Sequence, residues 1–279
     1  MYNQKIFTGI NSVEYIYHFS GKYGCKGEKR SSRKKKTPEQ MARQNQINKE
    51  NRLRRLIAAN FYKNDYWVCL KYPKGTRKNV KEVCRDLKNF RERLKREYDK
   101  RGEVFKWIYR IEIGEKGGIH VHMLMNRIWM LDILIAKHWP GHINITPVYE
   151  LGSFQKLASY ICKPLPKNDD YEQLSFIEEE YSEEDIKAMS KYSSSRNLIR
   201  PEPEVKTYSR RTMKKLIDNG PVAHPGYYID KDSVHIGVNQ YTGYSYMYYT
   251  EIRINPLLRP IKIPNDTKLQ PKILHSNSA

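Results

Sequence analysis

Val104–Asn126 reads VFKWIYRIEIGEKGGIHVHMLMN, and this stretch decides the fold. Residues 104–113 alternate apolar and polar as a strand does, Gly117-Gly118 offers a turn, and Ile119–Asn126 (IHVHMLMN) alternates again. Two period-2 runs around a glycine turn predict an antiparallel hairpin. On a strand, residues two apart project from one face, so His120 and His122 point together while Ile119, Val121 and Met123 face a packed side. In the preceding strand Arg110, Glu112 and Gly114 share a face, and the turn can fold Glu112 back beside the two imidazoles.

Working outward, the same grammar of strand and helix continues in both directions. Upstream, Asp65–Tyr72 (DYWVCLKY) is an apolar run of strand length closed by Pro73-Lys74-Gly75. Val80, Val83, Cys84, Leu87, Phe90, Leu94 and Tyr98 recur at spacings of three and four and mark one helical face, which Gly102 ends. Downstream, Trp129–Trp139 reads as a short apolar helix ended by Pro140-Gly141. His142–Tyr149 (HINITPVY) reads as a strand whose Pro147 suits a sheet edge. Ser153–Lys163 (SFQKLASYICK) is a helix stopped by Pro164 and Pro166. The order β-α-β-β-α-β, then a further helix, predicts an α+β fold of the ferredoxin-like, split βαβ kind over residues 61–167, with helices on an antiparallel sheet.

The flanks have a different character. Lys22–Lys36 holds eight basic residues (Lys22, Lys26, Lys29, Arg30, Arg33, Lys34, Lys35, Lys36) and one acid, with almost nothing apolar to bury, so it reads as a basic arm. Thr37-Pro38-Glu39-Gln40 is a cap and first turn for a basic helix reaching about Asn60; its Arg52, Arg54 and Arg55 suit either a solvated face or DNA. Arm and helix make up residues 1–60. Residues 168–279 open with nine acids between Asp169 and Asp185, which either mimic DNA or solubilise a helix start. The chain is basic again from Arg196 to Lys215, including the Arg210-Arg211 pair, and Ser233–Ile254 has the pattern of a Tyr-rich hairpin.

Composition narrows the partners. Of 279 residues, 51 are Lys or Arg against 31 Asp or Glu, a net charge of +20 that calls for a polyanion, nucleic acid first. The 22 tyrosines suit either stacking on bases or half-exposed strand positions. The mean hydropathy of −0.81, with no apolar run of membrane length, excludes a spanning helix. Met1–Ser20 lacks a basic region followed by an apolar block, so no secretory leader is expected. Cys25, Cys69, Cys84 and Cys162 are scattered and form no C-x-x-C pair, against structural zinc and disulfides and in favour of a cytoplasmic setting.

Two histidines and a carboxylate, with positions left open for water and phosphate oxygens, make a site for Mg²⁺ or Mn²⁺. Glu112 could equally serve as a strand acid paired with Lys116 or Arg110. Tyr160 and Lys163, three apart, fall on one face of the helix after the last core strand. A phenol is a nucleophile only where its oxyanion is stabilised; otherwise the pair reads as a packed tyrosine and a solvated lysine.

Taken together, GGIHVHMLM, an acid one strand upstream and a helix bearing Y-x-x-K resemble the HUH endonucleases. The nearest likeness is to the single-tyrosine rolling-circle replication initiators of phages, plasmids and integrated elements. The apolar strand Tyr66–Tyr72 matches the family's first motif, His120 and His122 the second, Tyr160 and Lys163 the third. The resemblance implies that His120, His122 and Glu112 hold the ion and that Tyr160 attacks single-stranded origin DNA. A 5′-phosphotyrosine and a free 3′-OH result, with Lys163 orienting the tyrosine and offsetting charge. The arm residues, Arg110, Arg210 and Arg211 are the expected DNA contacts. The chain has no G-x-x-x-x-G-K-[ST] phosphate loop, so unwinding falls to a host helicase and synthesis to a host polymerase, in a bacterial cytoplasm. No second tyrosine stands three or four residues from Tyr160. A single-tyrosine transposase or relaxase would use the same residues, and a non-catalytic single-strand-binding protein would need only the fold and the charge.

Overall fold

The computed structural model describes residues 1–20, 29–30, 35–76, 78–114, 118–148, 154–164, 182, 185–186, 189–209 and 213–263. In chain order the strands are β1 (Tyr2–Thr8), β2 (Ser12–Phe19), β3 (Tyr66–Lys71), β4 (Trp107–Ile113), β5 (Ile119–Met125), β6 (His142–Pro147), β7 (Ser193–Ser194), β8 (Glu204–Tyr208), β9 (Tyr227–Ile229), β10 (His235–Val238) and β11 (Ser245–Arg253). The helices are α1 (Pro38–Asn60), α2 (Val80–Asp99), α3 (Leu131–His138), α4 (Gln155–Cys162) and α5 (Lys214–Asn219).

The expected hairpin is β4 and β5, paired so that Glu112 lies opposite His120 and Arg110 opposite His122. Its sheet runs β6-β3-β5-β4-β7, every pairing antiparallel, with β6 at one edge, so Pro147 has no ladder partner to disappoint on its outer side. This is the α+β split βαβ arrangement. One face of the sheet is apolar: Val68, Leu70, Ile111, Val121 and Met123 pack against the stripe Val83, Leu87, Phe90 and Leu94 of α2 and against Leu131 and Ile135 of α3. Helix α2 starts where its sequence says, with Asn79 and Glu82 closing a reciprocal capping box at 2.8 and 3.0 Å.

Only one end of the opposite face is covered. There Ile108 and Leu124 pack against Leu53, Leu56 and Ile57 of α1 and Leu157, Ala158 and Ile161 of α4. The two histidines lie further along this face, just past the covered end, so α4 overhangs them. The capping box foreseen at the start of α1 is present, Thr37 Oγ1 accepting from Gln40 N at 3.3 Å.

A second sheet, β10-β11-β2-β1-β8 with β9 also on β11, joins the two ends of the chain. The first twenty residues, grouped by sequence with the arm and first helix, pair through β1 with β8 and through β2 with β11. The Tyr-rich hairpin is there as β10 and β11. Tyr2, Tyr15, Tyr17 and Tyr249 are buried in this sheet's own core with Met213 and Met247, which settles those four tyrosines as packing residues. Helix α1 links the sheets: Gly9 lies so close to Ala58 that a Cβ there would sit 2.9 Å from its carbonyl oxygen, and Ile10 N donates to that oxygen at 2.8 Å. Arg54 and Arg55, candidates for DNA, both bind Glu14 of β2 at 2.6 Å, and Arg54 is buried.

Candidate active site

The pairing of β4 with β5 places three ligand-type side chains side by side. Glu112 Oε2 lies 3.5 Å from His120 Nε2 and 3.2 Å from His122 Nε2. One ligand atom from each residue falls within 4.8 Å of the other two, and this is the one such group of histidine, cysteine and acidic side chains among the described residues. All three are half-buried. Gly114 Cα leaves room for the His120 ring, which a side chain would meet at 3.4 Å.

Tyr160 completes the cluster from above. Its hydroxyl donates to Glu112 Oε2 at 2.7 Å and lies 2.9 Å from His122 Nε2, while the residue stays 39% exposed, open to a ligand from solvent. Trp67 of β3 stacks on the His122 ring at 5.4 Å and meets Tyr160 edge-on at 6.0 Å, so the indole braces both. Cys69, opposite His122 on β3, completes this wall. Trp67 and Cys69 lie within the apolar strand singled out by sequence, but nothing in that run distinguishes them until register sets them beside His122.

The electrostatics follow from this packing. Burial pushes the Glu112 carboxyl up, yet hydrogen bonds with His120, His122 and Tyr160 outweigh it and hold the group well below the usual carboxylate range. Burial, then the hydrogen bond to Glu112 and its negative charge, push the Tyr160 phenol well above its ordinary value. In this arrangement the phenol is kept protonated. The donor set, two imidazole nitrogens and an ionised carboxylate converging on one spot, fits a divalent cation.

The other expected site residues are distributed differently. Lys163 does not share a helical face with Tyr160: it is the C-cap of α4, with ψ 126° outside the helix, and is exposed. Its backbone is what is held, the N–H by Tyr160 O at 3.2 Å. Arg110, expected to contact DNA, is 3% exposed and bonded to backbone carbonyls of the α4 end, because its strand position aims it under that helix. Lys29, Arg30, Lys35 and Lys36 are exposed, and Lys36 Nζ sits 4.6 Å over the Tyr241 ring. Lys22, Lys26, Arg33, Lys34, Arg210 and Arg211, like most of the acidic block 169–185, lie outside the described residues.

Residues 65–169 match the family model of the ORF2-type replication-associated protein, consistent with a rolling-circle replication initiator. The matched span runs from β3 through α4 and so contains every residue of the cluster. Searches of curated proteins and of solved structures found no significant match. No helix among the described residues is long and apolar enough to cross a membrane.

Proposed function

We propose that the protein nicks and rejoins single-stranded DNA at a replication origin through Tyr160. The observation that carries this reading is the Tyr160 hydroxyl, 2.7 Å from Glu112 and 2.9 Å from His122, at the open mouth of a His-His-Glu cluster. The family match supports a role in replication initiation, and a net charge of +20 supports a nucleic-acid substrate.

Glu112, His120 and His122 would hold the ion, Mg²⁺ or Mn²⁺. When bound there, a divalent cation supplies positive charge that polarises a phosphodiester and offsets the charge gathering on it. The chain's own residues do the rest. Glu112, as found, holds the phenolic proton in place and discourages the phenolate, so neutralising that carboxylate is what frees the nucleophile. Trp67 fixes the His122 ring and closes one side of the site to water. The Tyr160 oxygen then bonds to phosphorus as the bond from phosphorus to the 3′-oxygen breaks; the phenolic proton leaves to solvent through the exposed mouth, and the departing 3′-oxygen takes one up. The products are a 5′-phosphotyrosine and a 3′-OH that a host polymerase can extend, and attack by a 3′-OH reverses the step. Lys163, exposed at the helix end, adds a cation for the approaching backbone.

The test is to incubate the protein with single-stranded DNA tiling its own genetic element and Mn²⁺, then resolve the products under denaturing conditions. A metal-dependent protein–DNA adduct is expected. Binding without any adduct on every fragment would reduce the protein to a single-strand-binding module.

A further inference from the structure

Arg110 stands on β4 two residues before Glu112 and across the ladder from His122, and its side chain is 4% exposed. A guanidinium at that depth requires partners. Its Nη1 donates to the carbonyl oxygens of Tyr160 at 3.2 Å, Ile161 at 3.1 Å and Lys163 at 2.5 Å, while Nε lies 3.6 Å from Glu112 Oε1. A helix leaves its last carbonyls without intrahelical donors and favours a cation at that end, so the site suits an arginine. Helix α4 also needs the help. It is eight residues long, enters through Phe154 in the left-handed region at φ 59°, and has no side-chain cap at its start. The remaining C-terminal bond comes from α1, Gln46 Nε2 donating to Cys162 O at 2.8 Å.

We infer that Arg110 is the positioning residue for Tyr160, clamping the backbone of the tyrosine to the strand that carries Glu112. The phenol is thereby fixed at both ends: its oxygen bonds Glu112, and its carbonyl is tied to a side chain rooted two residues from Glu112. Lysine cannot replace this clamp in full, because a single ammonium lacks the planar fork that spans the carbonyls while facing the carboxylate. Arg110 touches neither the reacting oxygen nor DNA, and acts through the placement of Tyr160. The inference rests on the nicking reading for its consequence, though the placement can be read without it.

Two measurements on Arg110→Lys and Arg110→Met test this. In protein labelled with ring-¹³C tyrosine, the Tyr160 signal is assigned by its disappearance in Tyr160→Phe and is displaced by the neighbouring Trp67 ring. In Arg110→Met it should move toward the position of an unpacked tyrosine while those of buried Tyr66 and Tyr98 stay; in Arg110→Lys it should move part of the way. The single-turnover rate of adduct formation should fall about a hundredfold in Arg110→Met and about tenfold in Arg110→Lys, the scale expected of a misplaced reacting group. Half-saturating DNA and Mn²⁺ concentrations should stay within about twofold of wild type, since no ligand has been removed. A Tyr160 signal that does not move overturns the inference, as does a uniform loss of metal binding, DNA binding and rate. Should Arg110→Met not fold, Arg110→Lys decides. Should the wild type form no adduct, the nicking reading falls and the Tyr160 signal alone judges Arg110.

Discussion

Glu112 Oε2 is where three hydrogen-bonding partners meet, and the consequences of the site can be worked out atom by atom from it. Tyr160→Phe removes one oxygen from a side chain whose ring remains braced by Trp67. The variant is expected to melt within a few degrees of wild type and to bind Mn²⁺ and single-stranded DNA as wild type does, yet to give no band of protein joined to DNA on a denaturing gel. An adduct that persists, mapped by peptide sequencing to another tyrosine, would put the nucleophile elsewhere. His122→Ala acts differently, since it removes a proposed ligand together with the ring that Trp67 stacks on. Both Mn²⁺ affinity by calorimetry and adduct formation should be lost, and EDTA should stop the wild type reversibly. Retained cleavage in metal-free buffer would show that the three side chains serve some purpose other than holding an ion.

At the scale of elements, much of the core was legible because its signals are local. The β4–β5 hairpin declares itself through alternation around glycines, α2 through its stripe and capping box, and the edge position of β6 through Pro147. Convergence of Glu112 with His120 and His122 follows from the same local pattern, since hairpin register and strand period suffice to place them. Arg110 was not legible in the same way: strand period puts it on the Glu112 face, but only the tertiary placement of α4 turns a candidate DNA contact into a buried clamp. Lys163 illustrates the weakness of helical spacing at a helix end, where one residue of fraying cancels the relation. The packing of α1 on β2 yields a prediction at this scale. Burial pushes the Glu14 carboxyl up, but its bonds and ion pairs with Arg55 and Arg54 outweigh that and lower it below its ordinary value. A depressed carboxyl contributes stability that is complete above its unfolded value, near 4.3, and is lost as pH falls through the folded one. Glu14→Gln should therefore cost about 3 kcal/mol at neutral pH, where it strands two partly buried arginines. The gap between variant and wild type should narrow below about pH 4. Thermal melts at a series of pH values measure it, and a gap that stays constant would mean the pair adds nothing through its charge.

At the scale of the whole molecule, the second sheet is what local pattern could not reveal. Residues 1–20 find their partners in β8 and β11, some two hundred positions away, and no composition rule announces a pairing of that range. Its consequence is that the arm between β2 and α1 is anchored at both ends, by a strand in the second sheet and by a helix that packs against the core. Lys36 near the helix start lies over Tyr241 at the tip of the β10–β11 connection, so the end of the arm meets the second sheet. A basic segment tethered in this way can engage phosphates along a strand without reading bases. Lys22–Lys36 carries eight bases against one acid, seven of the chain's net twenty positive charges. Each phosphate neutralised on single-stranded DNA releases counterions worth a slope of about 0.7 in log affinity against log salt. Replacing Lys22–Lys36 by a neutral linker of equal length, which preserves the anchors, should lower affinity for every single-stranded sequence alike and flatten that slope by about 0.7 for each phosphate no longer neutralised. At saturating DNA the adduct rate should be unchanged, because no residue of the His-His-Glu-Tyr cluster has been touched. Fluorescence anisotropy between 50 and 200 mM salt reads the slope; if it is the same with and without the basic residues, the arm does not engage phosphates and the DNA must be held by other basic surfaces of the protein.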